Sequence, residues 1–320
     1  MKRTIAATIA FAAAIFNLAA AQDYPNKSLR VVVPLLAGSG TDVITRQFTA
    51  ALSQALGQSI VVENKAGAAT TLGANFVAKA TPDGYTLLSA TTSTLSVIPT
   101  VQKTPYDSVK DLVPIGAYCV SPFLIVVAEG SRYKTLNDLL SAAKAAPDKL
   151  TFASSGTGTM THMVVELLSG VAKTNFSHVP YKGVSGAHID VIGGRIDLLA
   201  DSPASTLPHV RGGRFRALAV TSPKRSPMLP NVPTVGELGL SGAEADFTTG
   251  LLAPAGTPKA VIARLERETL KIANSQEFKD FLALQLYEPL AASSEQFRKI
   301  IRQDLVKWQN VVRERNIKVE

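Results

Sequence analysis

Cysteine and histidine are scarce in this chain, which has one Cys and four His among its 320 residues. Cys119 has no second cysteine to pair with, which excludes an internal disulfide framework, and its apolar neighbours predict a buried side chain. The histidines at positions 162, 178, 188 and 209 do not stand at metal-ligand spacings, and no acidic cluster accompanies them. We therefore predict no metal site.

Common catalytic motifs are also missing. The sequence holds no G-x-S-x-G, H-E-x-x-H, C-x-x-C or G-x-x-x-x-G-K-[ST] pattern. Gly38-Ser39-Gly40 lacks the third glycine of a dinucleotide-binding fingerprint. These absences favour binding over catalysis, so we predict no catalytic residues and no cofactor.

Positive charge exceeds negative charge, but it is not concentrated. The formal net charge of +8 includes Lys2 and Arg3, and basic residues elsewhere alternate with acidic ones, as in Arg264-Leu265-Glu266-Arg267-Glu268. A nucleic-acid groove is typically a basic patch with exposed aromatic residues. We therefore predict no nucleic-acid partner. The 46% of hydrophobic residues excludes an intrinsically disordered chain.

The first 21 residues have the pattern of a signal peptide. A basic start is followed by an apolar run from Ile5 to Leu18, which is shorter than the roughly 20 residues that span a bilayer. Small residues then end the segment at Ala21. We predict cleavage after Ala21 and export of a soluble protein.

Strand-like and helix-like patterns alternate from residue 29 onward. In the first half we predict strands at 29–33, 59–63 and 85–88 with helices between them, the first closed by Gly57. A second unit repeats this alternation, with strands at 123–127, 150–153, 178–180, 195–199 and 215–220, and a helix ended by Gly170. Alternation of this kind predicts parallel sheets with helices on both faces, in two lobes with a cleft between them.

The rest of the chain is predicted to be a surface connection at 221–242, a strand at 250–253 and two amphipathic helices. The first of these helices runs over 259–273, where Thr257 is the predicted cap and Pro258 the first helical residue. The second runs over 294–315.

Two matching loops are the most informative features. Gly38-Ser39-Gly40-Thr41 and Ser154-Ser155-Gly156-Thr157-Gly158-Thr159 each follow a strand and open a helix. Glycine lets a ligand approach the backbone, and the free amides of a helix N-terminus attract an anion. Alternatively, both loops are only tight turns with helix caps. A helix end contributes at most about 2 kcal/mol, whereas micromolar binding takes about 8 kcal/mol, so an anion would have to be enclosed between the lobes.

Seven short motifs occur in the order that is typical of one receptor family. They are Pro34-Leu35-Leu36-Ala37-Gly38-Ser39-Gly40-Thr41-Asp42, Ala80-Thr81-Pro82-Asp83-Gly84-Tyr85-Thr86-Leu87, Tyr181-Lys182-Gly183, Gly193-Gly194-Arg195-Ile196-Asp197, Arg216-Ala217-Leu218-Ala219-Val220-Thr221, Val232-Pro233-Thr234 and Ala253-Pro254-Ala255-Gly256-Thr257-Pro258. Together they resemble the Bug (TctC-like) family of periplasmic solute-binding receptors of tripartite tricarboxylate transporters. The resemblance covers nearly the whole chain after residue 21.

The resemblance implies an α/β fold of the type II periplasmic binding protein class, whose two lobes close on a small mono- or dicarboxylate, aromatic ones included. The implied lobes are 22–121 with 247–320, and 122–246, with hinges at 118–121 and 246–249. The implied partners are the membrane subunits of a transporter, or a sensor, and we expect a monomer.

The candidate ligand-binding residues combine the two loops with positions that the resemblance implies. They are Leu36, Ala37, Gly38, Ser39, Thr41, Thr91, Ser93, Ser154, Ser155, Gly156, Thr157, Thr159, His162, Tyr181, Asp201, Phe247 and Thr248. Asp201 is either a contact to a ligand amine or hydroxyl or a strand-end cap. Tyr181 either lines the cleft or belongs to the core.

Two departures from the family pattern bear on the pocket. The family usually has P-F-P-A-G-G in the first loop, so Leu35, Leu36 and Ser39 are expected to reshape the rim. Where the family often has S-W-[YF]-G, this chain has Phe247-Thr248-Thr249-Gly250, which removes a tryptophan wall.

One alternative class remains open from the residues alone. An exported hydrolase or lyase on the same lobes would use Ser154 or Ser155 as the nucleophile and His162 as the base. Such a site needs an orienting acid, and none is visible in the sequence.

Overall fold

The computed structural model describes residues 24–317, and the predicted signal peptide lies outside them. The strands are β1 Leu29–Val33, β2 Ile60–Asn64, β3 Thr86–Thr91, β4 Leu112–Pro122, β5 Leu124–Ala128, β6 Thr151–Ser154, β7 Ser177–Pro180, β8 Leu198–Asp201, β9 Phe215–Val220, β10 Asp246–Pro254 and β11 Glu288–Ser293. The helices are α1 Gly40–Leu56, α2 Thr71–Ala78, α3 Ile98–Val101, α4 Leu136–Ala145, α5 Met160–Ala172, α6 Val184–Ile192, α7 Pro203–Arg211, α8 Lys259–Asn274, α9 Gln276–Leu284 and α10 Ser294–Glu314.

The first lobe is built on a six-stranded sheet in the order β11-β4-β10-β3-β1-β2. Strands β1, β2 and β3 are parallel, as predicted, but β10 pairs antiparallel with β3 and β4. The sheet is therefore mixed, because a strand from late in the chain enters between two early ones. Successive residues Val31 and Val32 belong to hydrophobic clusters on opposite faces, which confirms helices on both sides.

The second lobe has a five-stranded sheet in the order β7-β6-β8-β5-β9. Strands β6, β7 and β8 are parallel, whereas β5 runs antiparallel to β8 and β9. Ile125 of β5 packs with α4 and α5, and its neighbour Val126 packs with α6 on the other face. In both lobes, successive side chains of a strand therefore enter different hydrophobic clusters, as expected for a sheet with helices on both faces.

Local signals located the first helix correctly. The Ser39 hydroxyl accepts from the Asp42 amide at the start of α1, and Gly57 ends the helix with a left-handed φ of 66°. The predicted cap of α8 is wrong, since Thr257 bonds to the Pro254 carbonyl and Pro258 is the capping residue.

Other boundaries also differ from the sequence prediction. Helix α5 continues past Gly170 to Ala172, because Lys173 supplies the left-handed residue that ends it. Strand β8 begins at Leu198 rather than at Arg195, since the preceding residues form a turn after α6. Strand β11 and helices α7 and α9 were not predicted, because their apolar patterns are short.

Two strand connections and one helix join the lobes within residues 24–317. Strand β4 leads into β5 through Phe123, and the chain returns to the first sheet where β10 begins at Asp246. Helix α10 packs Phe297 against the first sheet, whereas Trp308 near its other end lies in the core of the second lobe. The exact lobe bounds stay a prediction.

No helix within residues 24–317 combines the length and the apolar character that a bilayer-spanning segment needs.

Candidate ligand-binding cleft

A cleft of about 250 Å³ lies between the two lobes. Seven predicted residues line it: Thr41, Thr91, Ser93, Ser155, Thr159, Asp201 and Phe247. Six others were not predicted: Thr70, Thr94, Phe123, Met160, Thr161 and Ser202. Leu35, which was expected to reshape the rim, also lines the cleft. The lining contains hydroxyl and apolar side chains and one carboxylate, and it includes no Lys, Arg or His.

The first loop is held by Asp42, the third residue of α1. Gly38 has a φ of 80°, and its amide donates to Asp42 Oδ2 at 2.9 Å. Asn64 donates to the other carboxylate oxygen at 2.9 Å and to the Leu35 carbonyl at 3.1 Å. Burial opposes the charge of Asp42, but hydrogen bonds from Arg46, Gly38 and Asn64 outweigh burial and lower the pKa of this carboxyl.

The second loop is held in the same way by His162, the third residue of α5. Gly158 has a φ of 76°, and its amide donates to His162 Nδ1 at 3.0 Å. His162 is only 4% exposed and does not line the cleft. The structure therefore places this predicted ligand contact beneath the loop.

Both loops leave free amides at the start of their helices. No acceptor within residues 24–317 takes a hydrogen bond from the amides of Gly40 and Thr41 in α1. The same holds for the amides of Met160 and Thr161 in α5. Thr41, Met160 and Thr161 line the cleft from opposite lobes, so two helix N-termini with unpaired donors face one open cleft.

The predicted serine–histidine pair does not form. Ser154 is fully buried, and its Oγ lies 2.6 Å from Nε2 of His178 rather than near His162. Ser155 Oγ bonds to Thr161 Oγ1 at 2.9 Å. Burial and the neighbouring His162 lower the pKa of His178 to about 4, so this imidazole is neutral at pH 7.

The carboxylate of Asp201 has its hydrogen-bonding partners within its own lobe. Oδ1 accepts from the Ser202 amide at 2.7 Å, and Oδ2 accepts from Ser205 Oγ at 2.6 Å and lies 3.0 Å from His188 Nε2. These are the contacts of a strand-end cap that starts α7. They also compensate the one acidic charge that lines the cleft.

Aromatic side chains form the wall where the chain crosses between the lobes. Phe123 and Phe247 meet edge to face with their ring centroids 5.7 Å apart, and Phe247 also contacts Tyr287. Phe247 therefore lines the cleft in a segment that lacks the family's tryptophan. The neighbouring Thr248 is buried outside the cleft, and its amide donates to Thr92 Oγ1.

The remaining predicted residues do not line the cleft. Leu36 is 73% exposed, Ala37 follows it, and Tyr181 donates its hydroxyl proton to Asp190. The others are backbone or cap positions of the two loops: Gly38, Ser39, Gly156 and Thr157.

Thr70 was missed although it lies in a small-residue loop visible in the sequence. Its φ of 75° follows left-handed values at Ala68 and Ala69, and its buried hydroxyl has no partner within residues 24–317. The signal was present as a third loop after a strand, Ala66-Gly67-Ala68-Ala69-Thr70.

Comparisons with known proteins identify the family of this chain. The family model "Tripartite tricarboxylate transporter family receptor" matches residues 44–317. Protein BugT of Bordetella pertussis is 33% identical over 305 residues, which are 94% of this chain and 93% of BugT. The structure of R. palustris Rpa4515 with adipate is 30% identical, with a TM-score of 0.81, and the match covers 92% of this chain and 99% of that one.

A third match is MatC from Rhodopseudomonas palustris with bound malate, which is 29% identical with a TM-score of 0.76. It covers 90% of this chain and 100% of that chain. The α/β fold with two lobes around a cleft is thereby confirmed, and so is the resemblance read from the seven motifs. The chain belongs to the receptor family of the tripartite tricarboxylate transporters.

Proposed function

We propose that the protein captures a small carboxylate between its lobes by hinge closure and delivers it to the membrane subunits of a transporter. The observation that carries this proposal is the pair of helix N-termini, at Thr41 and Thr161, that face one cleft with unpaired amides. The malate and adipate bound by two family structures support the choice of ligand class. The hinges are the predicted segments 118–121 and 246–249, between lobes 22–121 with 247–320 and 122–246.

Backbone amides and hydroxyl groups hold the carboxylate in this proposal. The cleft lining offers nine Ser and Thr side chains and no cation. Because a helix end contributes at most about 2 kcal/mol to anion binding, closure must exclude water and complete several hydrogen bonds. The ligand stabilises the closed form only by its additional contacts in that form.

The body of the ligand lies against apolar side chains. Leu35, Met160, Phe123 and Phe247 share the cleft with the hydroxyl groups. Such a lining favours a carboxylate with an apolar or aromatic body, because burial of apolar surface adds about 25 cal/mol per Å². We therefore expect adipate and benzoate to bind more tightly than malate.

Mass spectrometry of the ligand released from purified protein tests the proposal, followed by thermal-shift titration with malate, adipate and benzoate. Gly156→Val is expected to abolish binding in a folded protein, since Gly156 has a φ of 138° in the second loop. Gly242→Val is the matched control, because its φ of 100° is also unfavourable for valine and it lies outside the cleft. Failure of all three acids to stabilise the wild type, or full affinity of folded Gly156→Val, would contradict the proposal.

Export and the absence of catalysis belong to the same proposal. We expect the mature protein to begin at Gln22 and to be a monomer in the periplasm, which N-terminal sequencing of a periplasmic extract and light scattering check. Because Ser154 is fully buried and Ser155 Oγ bonds to Thr161 rather than to a histidine, we expect no turnover of esters or amides. The transporter and sensor alternatives differ in whether uptake of the ligand stops when the receptor is deleted.

A further inference from the structure

His162 controls the second loop through one ring nitrogen. Nδ1 accepts from the Gly158 amide at 3.0 Å in a buried hydrogen bond. An imidazole nitrogen accepts a hydrogen bond only while it carries no proton, so the bond requires the proton on Nε2. The loop geometry at Gly158 therefore depends on the tautomer of His162.

Glu166 and Arg315 lie on the Nε2 side of the ring. Glu166 Oε1 is 3.7 Å from His162 Nε2, and Arg315 donates from Nε to Glu166 Oε2 at 2.8 Å. Arg315 is held in turn by Asn175, whose Oδ1 accepts from it at 2.9 Å. Burial disfavours the charge of Glu166, but His162 and Arg315 outweigh burial and lower the pKa of its carboxyl. A carboxylate thus faces the nitrogen that must carry the proton.

We propose that Arg315 and Glu166 are positioning residues that hold His162 in its Nε2-protonated tautomer, and that His162 thereby fixes the ligand loop at Gly158. The inference rests on the proposed function, because it concerns the loop that would hold the carboxylate. It reassigns His162 from a ligand contact to a support of the loop. It also gives a role to Arg315, which follows α10 and lies far from the cleft in sequence.

Two substitutions at His162 separate the two ring nitrogens. In His162→Asn the side-chain oxygen occupies the place of Nδ1 and still accepts from Gly158, whereas in His162→Gln the amide occupies the place of Nε2. We expect His162→Asn to retain most of the affinity for the tightest binder among malate, adipate and benzoate. We expect His162→Gln to raise its Kd about tenfold, the effect of losing one buried hydrogen bond.

Two substitutions at Glu166 test whether its carboxylate positions His162. Glu166→Ala removes the acceptor that faces Nε2 and is expected to raise Kd about tenfold. Glu166→Gln keeps an acceptor oxygen and should restore most of the affinity. Arg315→Gln is expected to weaken binding severalfold, and Arg313→Gln is its control, since Arg313 is exposed and contacts only neighbours on α10. Equal affinities in all these variants would overturn the inference.

The tautomer itself is measurable without ligand. Long-range ¹H–¹⁵N NMR spectra of the full-length mature protein at pH 8 should show His162 with the proton on Nε2, and with a larger Nδ1-protonated population in Glu166→Ala. A wild-type His162 ring protonated on Nδ1 would contradict the positioning role of Glu166 and Arg315. This measurement tests whether Glu166 holds the tautomer of His162, even if the wild type binds none of the three acids. Failure to bind would contradict the proposed function alone.

Discussion

Asp42 and His162 occupy the same place in the two lobes. Each is the third residue of its helix, and each accepts a hydrogen bond from the amide of the glycine that precedes the helix cap, at 2.9 Å and 3.0 Å. The two glycines, Gly38 and Gly158, have nearly equal φ angles of 80° and 76°. The two loops therefore have the same hydrogen-bonded arrangement, with a carboxylate as the acceptor in one lobe and an imidazole in the other.

Asp42→Ala is expected to destabilise the protein by about 2–3 kcal/mol, because three part-buried hydrogen bonds to its buried carboxylate are lost. Their donors are the Gly38 amide, the Arg46 guanidinium and the Asn64 amide. The Kd for the carboxylate should rise about tenfold with the loss of loop order. Urea denaturation and titration calorimetry measure the two effects. Asp138→Ala is the control, since Asp138 is an exposed residue that closes the capping box of α4, and its loss should leave Kd unchanged.

Asp304 makes folding stability depend on pH. Burial raises the pKa of this carboxyl to about 6, Asp246 adds to the rise, and Lys307 opposes it. A pKa above the unfolded value means that the folded state binds the proton more tightly, so stability falls as pH rises from about 4 to about 6. Asp304→Asn should therefore stabilise the protein by about 1–3 kcal/mol at pH 7 and by little at pH 4.

Thermal denaturation between pH 4 and 8 checks this expectation. Asp280→Asn, at an exposed position of α9, is the matched control, and it should leave the pH dependence unchanged. The assignment to Asp304 would be wrong if the wild type and Asp304→Asn lost stability in parallel over this range.

Gly40→Ala is expected to destabilise the start of α1 by about 1–3 kcal/mol through overpacking. A Cβ at Gly40 would lie 2.7 Å from the hydroxyl oxygen of the buried Tyr287. Removing that oxygen in Gly40→Ala/Tyr287→Phe should restore most of the stability, as measured by urea denaturation. Gly130→Ala is the control, because nothing lies within 4 Å of its Cβ position. Failure of the double variant to recover would mean that the clash is not the cause.

Phe247→Ala is expected to weaken benzoate binding by about tenfold and malate binding by much less. The reason is that Phe247 and Phe123 form the apolar wall of the cleft, and aromatic contacts add about 0.5–1.5 kcal/mol beyond burial. Calorimetric titration of both acids gives the ratio of the two Kd values. Phe76→Ala removes a ring on the surface of the first lobe and should change neither value. An unchanged ratio in Phe247→Ala would place the ligand body elsewhere.

Much of the fold could be predicted because its signals are local. Helix α1 has its cap at Ser39 and its left-handed glycine at Gly57, and both lie within the segment that they define. The order of strands in a sheet depends on contacts distant in sequence. For this reason the entry of β10 between β3 and β4 could not be derived from the pattern of any segment.

The same distinction separates the predicted and missed parts of the cleft. Residues of the two loops were identified because glycine and hydroxyl residues cluster in the sequence. The Ser154–His178 contact joins adjacent parallel strands and spans 24 positions, so spacing alone does not reveal it. Phe123 was missed for a similar reason, since only the meeting of the lobes brings it to the cleft. Thr70 was missed although its small-residue loop was visible in the sequence.

Helix α10 has a consequence for the thermodynamics of closure. It contacts the first sheet through Phe297 and the second core through Trp308, in addition to the two strand connections. Three attachments leave the lobes fewer relative orientations than two flexible strands would allow. In the proposed closure, the open state therefore has less conformational entropy to lose when a ligand brings the lobes together. A larger share of the contact free energy then remains as affinity.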